Sequence, residues 1–307
     1  MSTVESRVND LIKGAIDLDM HPGPSIMLRK ADAWDAVKMA DEVGMGAVML
    51  KDHHMPSMNM AYIINEHAGC ECKALSCLIL NNQEGGLNLH AVDQACFMGV
   101  NMVSFPTAAA EEHLRVVKHF KPEVRPEAYV KSRARILPAN PITVLDENGK
   151  LLPEVIAIID RVAATEHTFL ATGHLHYDEM FAVASYCKSI GFKRLLYTHL
   201  MCGLTPRDKK LLKELVELGG YVEFVLQNVM TIFEGVDPFD TPESMVEWIR
   251  FFGPERCTIG SDHGQLENPL PVEGYKNFLR LLINHGFTDD EIYMMSHTNP
   301  RKVMAWE

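Results

Sequence analysis

Short apolar runs rich in β-branched residues alternate with amphipathic stretches along almost the whole chain. Eight runs read as strands: Ala15–Met20, Ala47–Lys51, Ala74–Leu80, Val100–Phe105, Thr168–Thr172, Leu195–Thr198, Tyr221–Leu226 and Cys257–Gly260. The stretches between them carry helical periodicity, as where Trp34, Val37, Ala40 and Val43 are closed by Gly44. Thr205-Pro206 and Thr241-Pro242 each set an N-cap residue before a proline at the first helical position. Thr288-Asp-Asp-Glu291 is a capping-box pattern opening the last helix. Strands alternating with helices imply parallel pairing, and eight such units imply a closed barrel. The expected fold is therefore α/β, a (β/α)8 TIM barrel of parallel strands forming one domain over residues 1–307. The competing architecture, an open doubly wound sheet, would carry a Gly-rich phosphate loop after its first strand. Here that strand ends in Asp19-Met20-His21-Pro22, which is no phosphate cradle.

One segment breaks the rhythm. Thr107–Glu154, between the fourth and fifth strands, is too long for one crossover and carries Pro122, Pro126, Pro138 and Pro141. It reads as an insertion within the domain, suited to a lid or an oligomer contact, with Ile142–Leu152 as a hairpin turning at Asn148-Gly149.

Composition narrows the partners. The net charge of −12 repels polyanions, and with no basic block or aromatic-basic stripe, nucleic-acid binding is not expected. No apolar run approaches the roughly 20 residues that span a bilayer, so no membrane association is expected. The first residues lack the order of a secretory signal, and seven scattered cysteines fit reduced thiols, so the cytoplasm is the expected compartment. A small molecule is the expected partner, with homo-oligomers as a further expectation.

The chemistry gathers where a barrel would put it. Catalytic groups collect at the C-terminal ends of barrel strands, where side chains alternate in and out. Asp17, Asp19 and His21 then share one face, and Ile16, Leu18 and Met20 the other. Carboxylate-x-imidazole at a strand end offers O and N ligands to Zn, Mn or Fe. Other strand ends repeat the theme: Lys51-Asp52-His53-His54 on the second, His174-Leu-His176 on the fifth, His199 on the sixth, Asp262-His263 on the eighth. Scattered core histidines would each need a separate buried partner and would not line up this way.

The first-strand x-His, the fifth- and sixth-strand histidines and the eighth-strand Asp262 resemble the signature of the amidohydrolase superfamily. Gly253-Pro-Glu-Arg-Cys-Thr-Ile-Gly-Ser-Asp262 resembles its eighth-strand approach, and Asp289-Asp-Glu-Ile-Tyr-Met-Met-Ser-His-Thr-Asn299-Pro-Arg-Lys-Val resembles its closing helix. The likeness runs in order along most of the chain, outside the insertion. It implies a divalent metal held by Asp19, His21, His174 and Asp262. Asp262 would also orient or deprotonate a water at the metal, and His199 would be a second-metal ligand or a general acid/base. Two departures favour one metal over two: Asp19 stands where the usual signature has a histidine, and Val100–Phe105 offers no lysine for a bridging carbamate. Lys51, His53 and His54 are read as binding a substrate carboxylate or carbonyl oxygen, with a carbamylated Lys51 bridging two metals as the alternative. Arg29 could reach the pocket mouth, although a solvated helix surface is its plainer place. His176 is either a partner of a ligand or the cap of the next helix, Asp17 a partner for a ligating His, and His113 and His297 are given no role. The implied activity is metal-dependent hydrolysis of an amide, lactam or ester of a small molecule. A mononuclear decarboxylase or other lyase, and a metal-binding barrel without activity, are the alternatives.

Overall fold

Each of the eight apolar runs forms a strand, slightly shorter than most of the runs because the ends turn into loops. The computed structural model describes residues 3–117, 140–203, 205–230 and 238–306. The strands are β1 (Ile16–Met20), β2 (Ala47–Leu50), β3 (Lys73–Ile79), β4 (Met102–Ser104), β5 (Phe169–Ala171), β6 (Leu195–Tyr197), β7 (Tyr221–Val225) and β8 (Cys257–Gly260). They pair in parallel, in sequence order from β1 to β8. The ring closes where Met20 pairs with His263 and where the Asp262 N–H donates to the Asp19 carbonyl at 2.7 Å. The fold is the expected (β/α)8 barrel.

Local signals place most helix ends correctly. Thr241 caps the helix Pro242–Phe252, Thr288 and Glu291 form the capping box, and Gly44 takes a left-handed φ of 78° just past the helix Ala33–Glu42. Thr205-Pro206 does not cap. The helix there is Lys209–Glu217, whose first N–H groups are accepted by the Asp208 carboxylate, while the Thr205 hydroxyl donates to the Leu200 carbonyl at 2.5 Å. An anionic acceptor suits the positive helix N-terminus better than a hydroxyl, and it sits three residues later.

The barrel interior is apolar below and polar above. Ile16, Leu18, Met49, Ile79, Met102 and Phe169 pack together inside the ring, and Val303 and Met304 of the helix Asn299–Met304 close its floor with Trp306 against them. Met20 packs instead in the layer between sheet and helices, so strict alternation along β1 fails. The β1–β2 register slips between Asp17 and Met20. Such an irregularity re-aims the side chains that follow it, which is how Asp19 can reach the cavity although Leu18 also faces inward.

Of the insertion, residues 107–117 and 140–154 are described; the stretch with Pro122, Pro126 and Pro138 lies outside them. The expected hairpin is present but minimal. Leu145 pairs antiparallel with Leu151, Gly149 supplies the positive φ, and Asp146 Oδ1 accepts the N–H groups of Asn148 and Lys150 across the turn. Among the described residues no disulfide forms, and no helix is long and apolar enough to cross a membrane.

Candidate metal centre

Two glycines let the strand ends crowd together at the mouth. A Cβ at Gly264, directly after His263, would lie 1.8 Å from the His21 carbonyl oxygen, and one at Gly173, before His174, would lie 2.3 Å from that of Phe105. Any other residue would push the β8 and β5 loops off their neighbours. Asp262 itself adopts a left-handed φ of 51°, a conformation that Asp tolerates better than most residues and that clusters at functional sites.

Asp19, His21 and Asp262 come together. One potential ligand atom from each lies within 4.8 Å of the others. His21 Nε2 is 3.3 Å from Asp19 Oδ1 and 3.0 Å from Asp262 Oδ1, while its Nδ1 lies 2.9 Å from the Lys51 carbonyl oxygen. A backbone carbonyl at Nδ1 selects the tautomer whose Nε2 lone pair faces the carboxylates, the orientation required of a metal-ligating histidine. Asp19 Oδ1 is fully buried and has no hydrogen-bond partner. Two carboxylate oxygens aimed at one imidazole nitrogen therefore call for a positive charge between them. Burial alone would push the His21 pKa down, but the Asp19 and Asp262 carboxylates hold it above its ordinary value. A divalent cation satisfies the same three atoms, and this O,N donor set fits Zn, Mn or Fe.

Lys51 enters this corner from the end of β2. Its Nζ lies 2.5 Å from Asp19 Oδ2 with both side chains buried. Burial favours a protonated Asp19, yet the Lys51 ammonium, helped by His21, holds its carboxyl well below the usual range. The ammonium is thus engaged by protein. Asp262 is the ligand candidate open to the mouth, its side chain 15% exposed.

His174 and His199 do not join that trio; they sit beside it in a cluster of imidazoles. The His53 ring stacks on His21 with centroids 4.6 Å apart; His174 lies 6.3 Å from His53 and 5.1 Å from His199. His53 Nδ1 is 2.9 Å from the Thr107 hydroxyl. His174 Nε2 and His199 Nδ1 are buried without partners. Burial, reinforced by like-charged neighbours, lowers the pKa of His53 and His174 well below its ordinary value, and burial also lowers that of His199. Burial thus favours the uncharged form of all three rings. His54 turns toward Asp52, whose carboxylate accepts its backbone N–H at 2.7 Å.

Two site residues escape sequence reasoning, and a third is placed by it on a helix surface. His113, on the insertion helix Glu111–Val117, places its Nδ1 2.8 Å from His174 Nδ1; it follows no strand, so strand-end logic passes over it. Glu223, fully enclosed on β7 with Oε2 unpartnered, has its pKa raised well above 4.5 by burial and by the Asp19 charge. A lone acid inside the apolar run Tyr221–Val225 was the available signal. Arg29 lies in the loop after β1, not on a helix surface, and its charge acts on Asp52, Asp262 and Asp19. Two other residues find plain roles. His176 is the N-cap of the helix Tyr177–Ser189, in a capping box with Glu179. Asp17 bonds Ser261, with its Oδ2 2.6 Å from the hydroxyl, and so ties β1 to β8 instead of supporting a histidine.

Comparison with known proteins gives a family and a fold. The model of a family described as "Family of unknown function (DUF6282)" matches residues 14–223, and the chain belongs to that family. The match includes every candidate from Asp19 to His199 and ends before Asp262. No curated protein matches the sequence. Among solved structures, the probable dipeptidase PvdM from Pseudomonas aeruginosa is 11% identical with a TM-score of 0.65, covering 98% of this chain and 97% of its own. An amidohydrolase from the same organism gives 11% identity and a TM-score of 0.63 over 99% and 98%. A mutant organophosphorus hydrolase from Deinococcus radiodurans gives 12% and 0.56 over 97% and 94%. The amidohydrolase resemblance read from the strand ends thus extends to the fold over the whole length.

Proposed function

We propose that this member of the family is a metal-dependent hydrolase that cleaves an amide, lactam or ester bond of a small molecule. The observation that carries the reading is the convergence of Asp19 Oδ1, His21 Nε2 and Asp262 Oδ1 within 4.8 Å at the barrel mouth, with the Asp19 oxygen buried and unpartnered. A divalent cation held by these three residues would supply Lewis acidity, acidifying water and polarising a carbonyl. Lys51 holds the other Asp19 oxygen, which keeps Oδ1 turned toward His21. Asp262, reachable from the mouth, takes the proton of the attacking water. His199, whose Nδ1 has no partner among the described residues and whose pKa burial lowers, donates an N–H hydrogen bond to the developing oxyanion, or passes to the leaving group the proton that Asp262 has taken from the water. His53 and His54 contact the substrate beside it. The names of the three similar structures, a probable dipeptidase, an amidohydrolase and an organophosphorus hydrolase, support hydrolysis as the reaction class.

Elemental analysis of purified protein should find close to one equivalent of Zn, Mn or Fe. A panel of amides, lactones, esters and aryl carboxylates, followed for released acid, CO₂ and oxygen incorporated from labelled water, then tests the reaction. Absence of metal, with neither chelator nor added metal changing melting or turnover, overturns the reading. CO₂ release without incorporation of water oxygen transfers the site to a lyase.

A further inference from the structure

Among the described residues, no group answers the Arg29 Nε by a hydrogen bond. That nitrogen is shielded from solvent as well, whereas Lys51 is bound by Asp19 and Lys30, the next residue, donates to the Asn268 carbonyl at 2.5 Å. A guanidinium stays charged throughout the physiological range and presents a planar fork of donors. Leaving one of those donors dry and unmatched is unfavourable, so the position needs an explanation beyond packing.

The loop that carries Arg29 is itself held in place. Gly23 N–H donates to the Ala31 carbonyl at 2.8 Å and Lys30 N–H to the Gly264 carbonyl at 2.9 Å, so both sides of the loop are pinned. A Cβ at Gly23 would come within 3.6 Å of the Arg29 Cβ, so loop and side chain are closely packed. Asn268 extends the anchoring by donating to the side chain of Gln227 in the 3-10 helix Leu226–Val229 after β7. Arg29 is close enough for its charge to act on His21 and His53 as well as on Asp262 and Asp52. It therefore borders the cavity in which the reacting bond would sit.

We propose that Arg29 is an anion-binding residue and that the natural substrate carries a carboxylate group. This inference rests on the hydrolase reading of the same site and names its substrate class. A carboxylate matches the guanidinium fork with two parallel hydrogen bonds. A dianion such as a phosphate monoester fits less well, because the negative charges of Asp52, Asp262 and Asp19 already act at the position and the chain as a whole carries −12. One negative charge is what the fork can take without excess repulsion from those acids.

The test uses matched pairs that differ only in charge: benzoate with benzamide, and N-acetylglycine with its carboxamide. Their binding to the metal-loaded protein is measured by calorimetry for wild type, Arg29→Gln and Arg29→Lys, with metal content and melting temperature recorded for each. Each acid should bind wild type more tightly than its amide. Arg29→Gln should weaken the acids by about ten-fold or more and leave the amides unchanged, and Arg29→Lys should recover only part of the loss, because an ammonium lacks the fork. Acids that fail to bind wild type, or bind no better than their amides, overturn the inference. So does tight acid binding that survives Arg29→Gln, since the acids would then be held by the metal. Metal-free wild type with Arg29-dependent acid binding would remove the hydrolase reading alone. Hydrolysis of neutral amides without acid preference would remove only the substrate class.

Discussion

The two ends of the barrel treat buried histidines in opposite ways. At the floor, His297 is 2% exposed, with Nε2 2.8 Å from the Lys13 carbonyl and Nδ1 2.7 Å from the Ser296 hydroxyl. Both nitrogens are satisfied within the protein. At the mouth, His174 Nε2 and His199 Nδ1 are buried without partners among the described residues. Burial frequency would not tell these residues apart. A histidine that completes its hydrogen bonds in the fold serves the fold, and one that leaves a nitrogen open is held for something else.

The largest effect expected from breaking this contrast is at Asp19. Asp19→Ala leaves the Lys51 ammonium buried without its partner, which should lower stability by about 3–5 kcal/mol and strip the metal. Chemical denaturation checks the first effect and elemental analysis the second. Asp19→Ala combined with Lys51→Met should regain most of the stability but none of the metal; equal losses in the single and double variants would deny the ion pair its role. The floor should answer differently. Met304→Ala should cost about 2–5 kcal/mol through the cavity it leaves, while turnover at temperatures well below melting stays at the wild-type value. A parallel loss of turnover would mean that floor and mouth are coupled.

His199→Asn should lower turnover by roughly 100-fold or more while keeping the metal and nearly all the stability. If it removes metal as thoroughly as Asp19→Ala, His199 is a ligand and the centre is larger than the trio. The smallest effect belongs to His297 and pH. Burial lowers its pKa from 6.5, so the neutral ring contributes stability above pH 6.5 that is lost as pH falls below it, when the unfolded chain takes the proton more readily. The melting-temperature gap between wild type and His297→Gln should therefore narrow from pH 7 to pH 5. A gap that widens would reverse the sign of the shift.

Eight strands, their order and several caps were legible in the sequence because each rests on local periodicity and local hydrogen bonding. The strand-end logic likewise singled out Asp19, His21 and Asp262, which the fold brings together. It failed where a contact depends on a slipped register or on a distant segment. The irregularity in β1 brings Asp19 to Lys51 and turns Met20 away from Ile16 and Leu18, and no period-two rule anticipates a break in its own period. Arg29 looked like a solvated helix residue because Ser25–Lys30 contains nothing that reads as a tight turn; its placement comes from hydrogen bonds to residues 264 and 268, far along the chain. Glu223 was visible as an acid in an apolar strand and could have been found.

The bond between His113 and His174 bears on how such a barrel can be re-engineered. Exchanging segments between barrels assumes that the framework and its decorations are separable, so that a long loop can be grafted or trimmed while the chemistry stays behind. Here the decoration reaches back into the chemistry. His113 belongs to the helix Glu111–Val117, inside the insertion, and its Nδ1 meets His174 Nδ1 at 2.8 Å. One of those nitrogens must donate and the other accept, so the insertion residue helps to decide which His174 nitrogen carries the proton. A chimera that replaced residues 107–154 with a short crossover would therefore inherit the strands intact and a His174 with its tautomer unset.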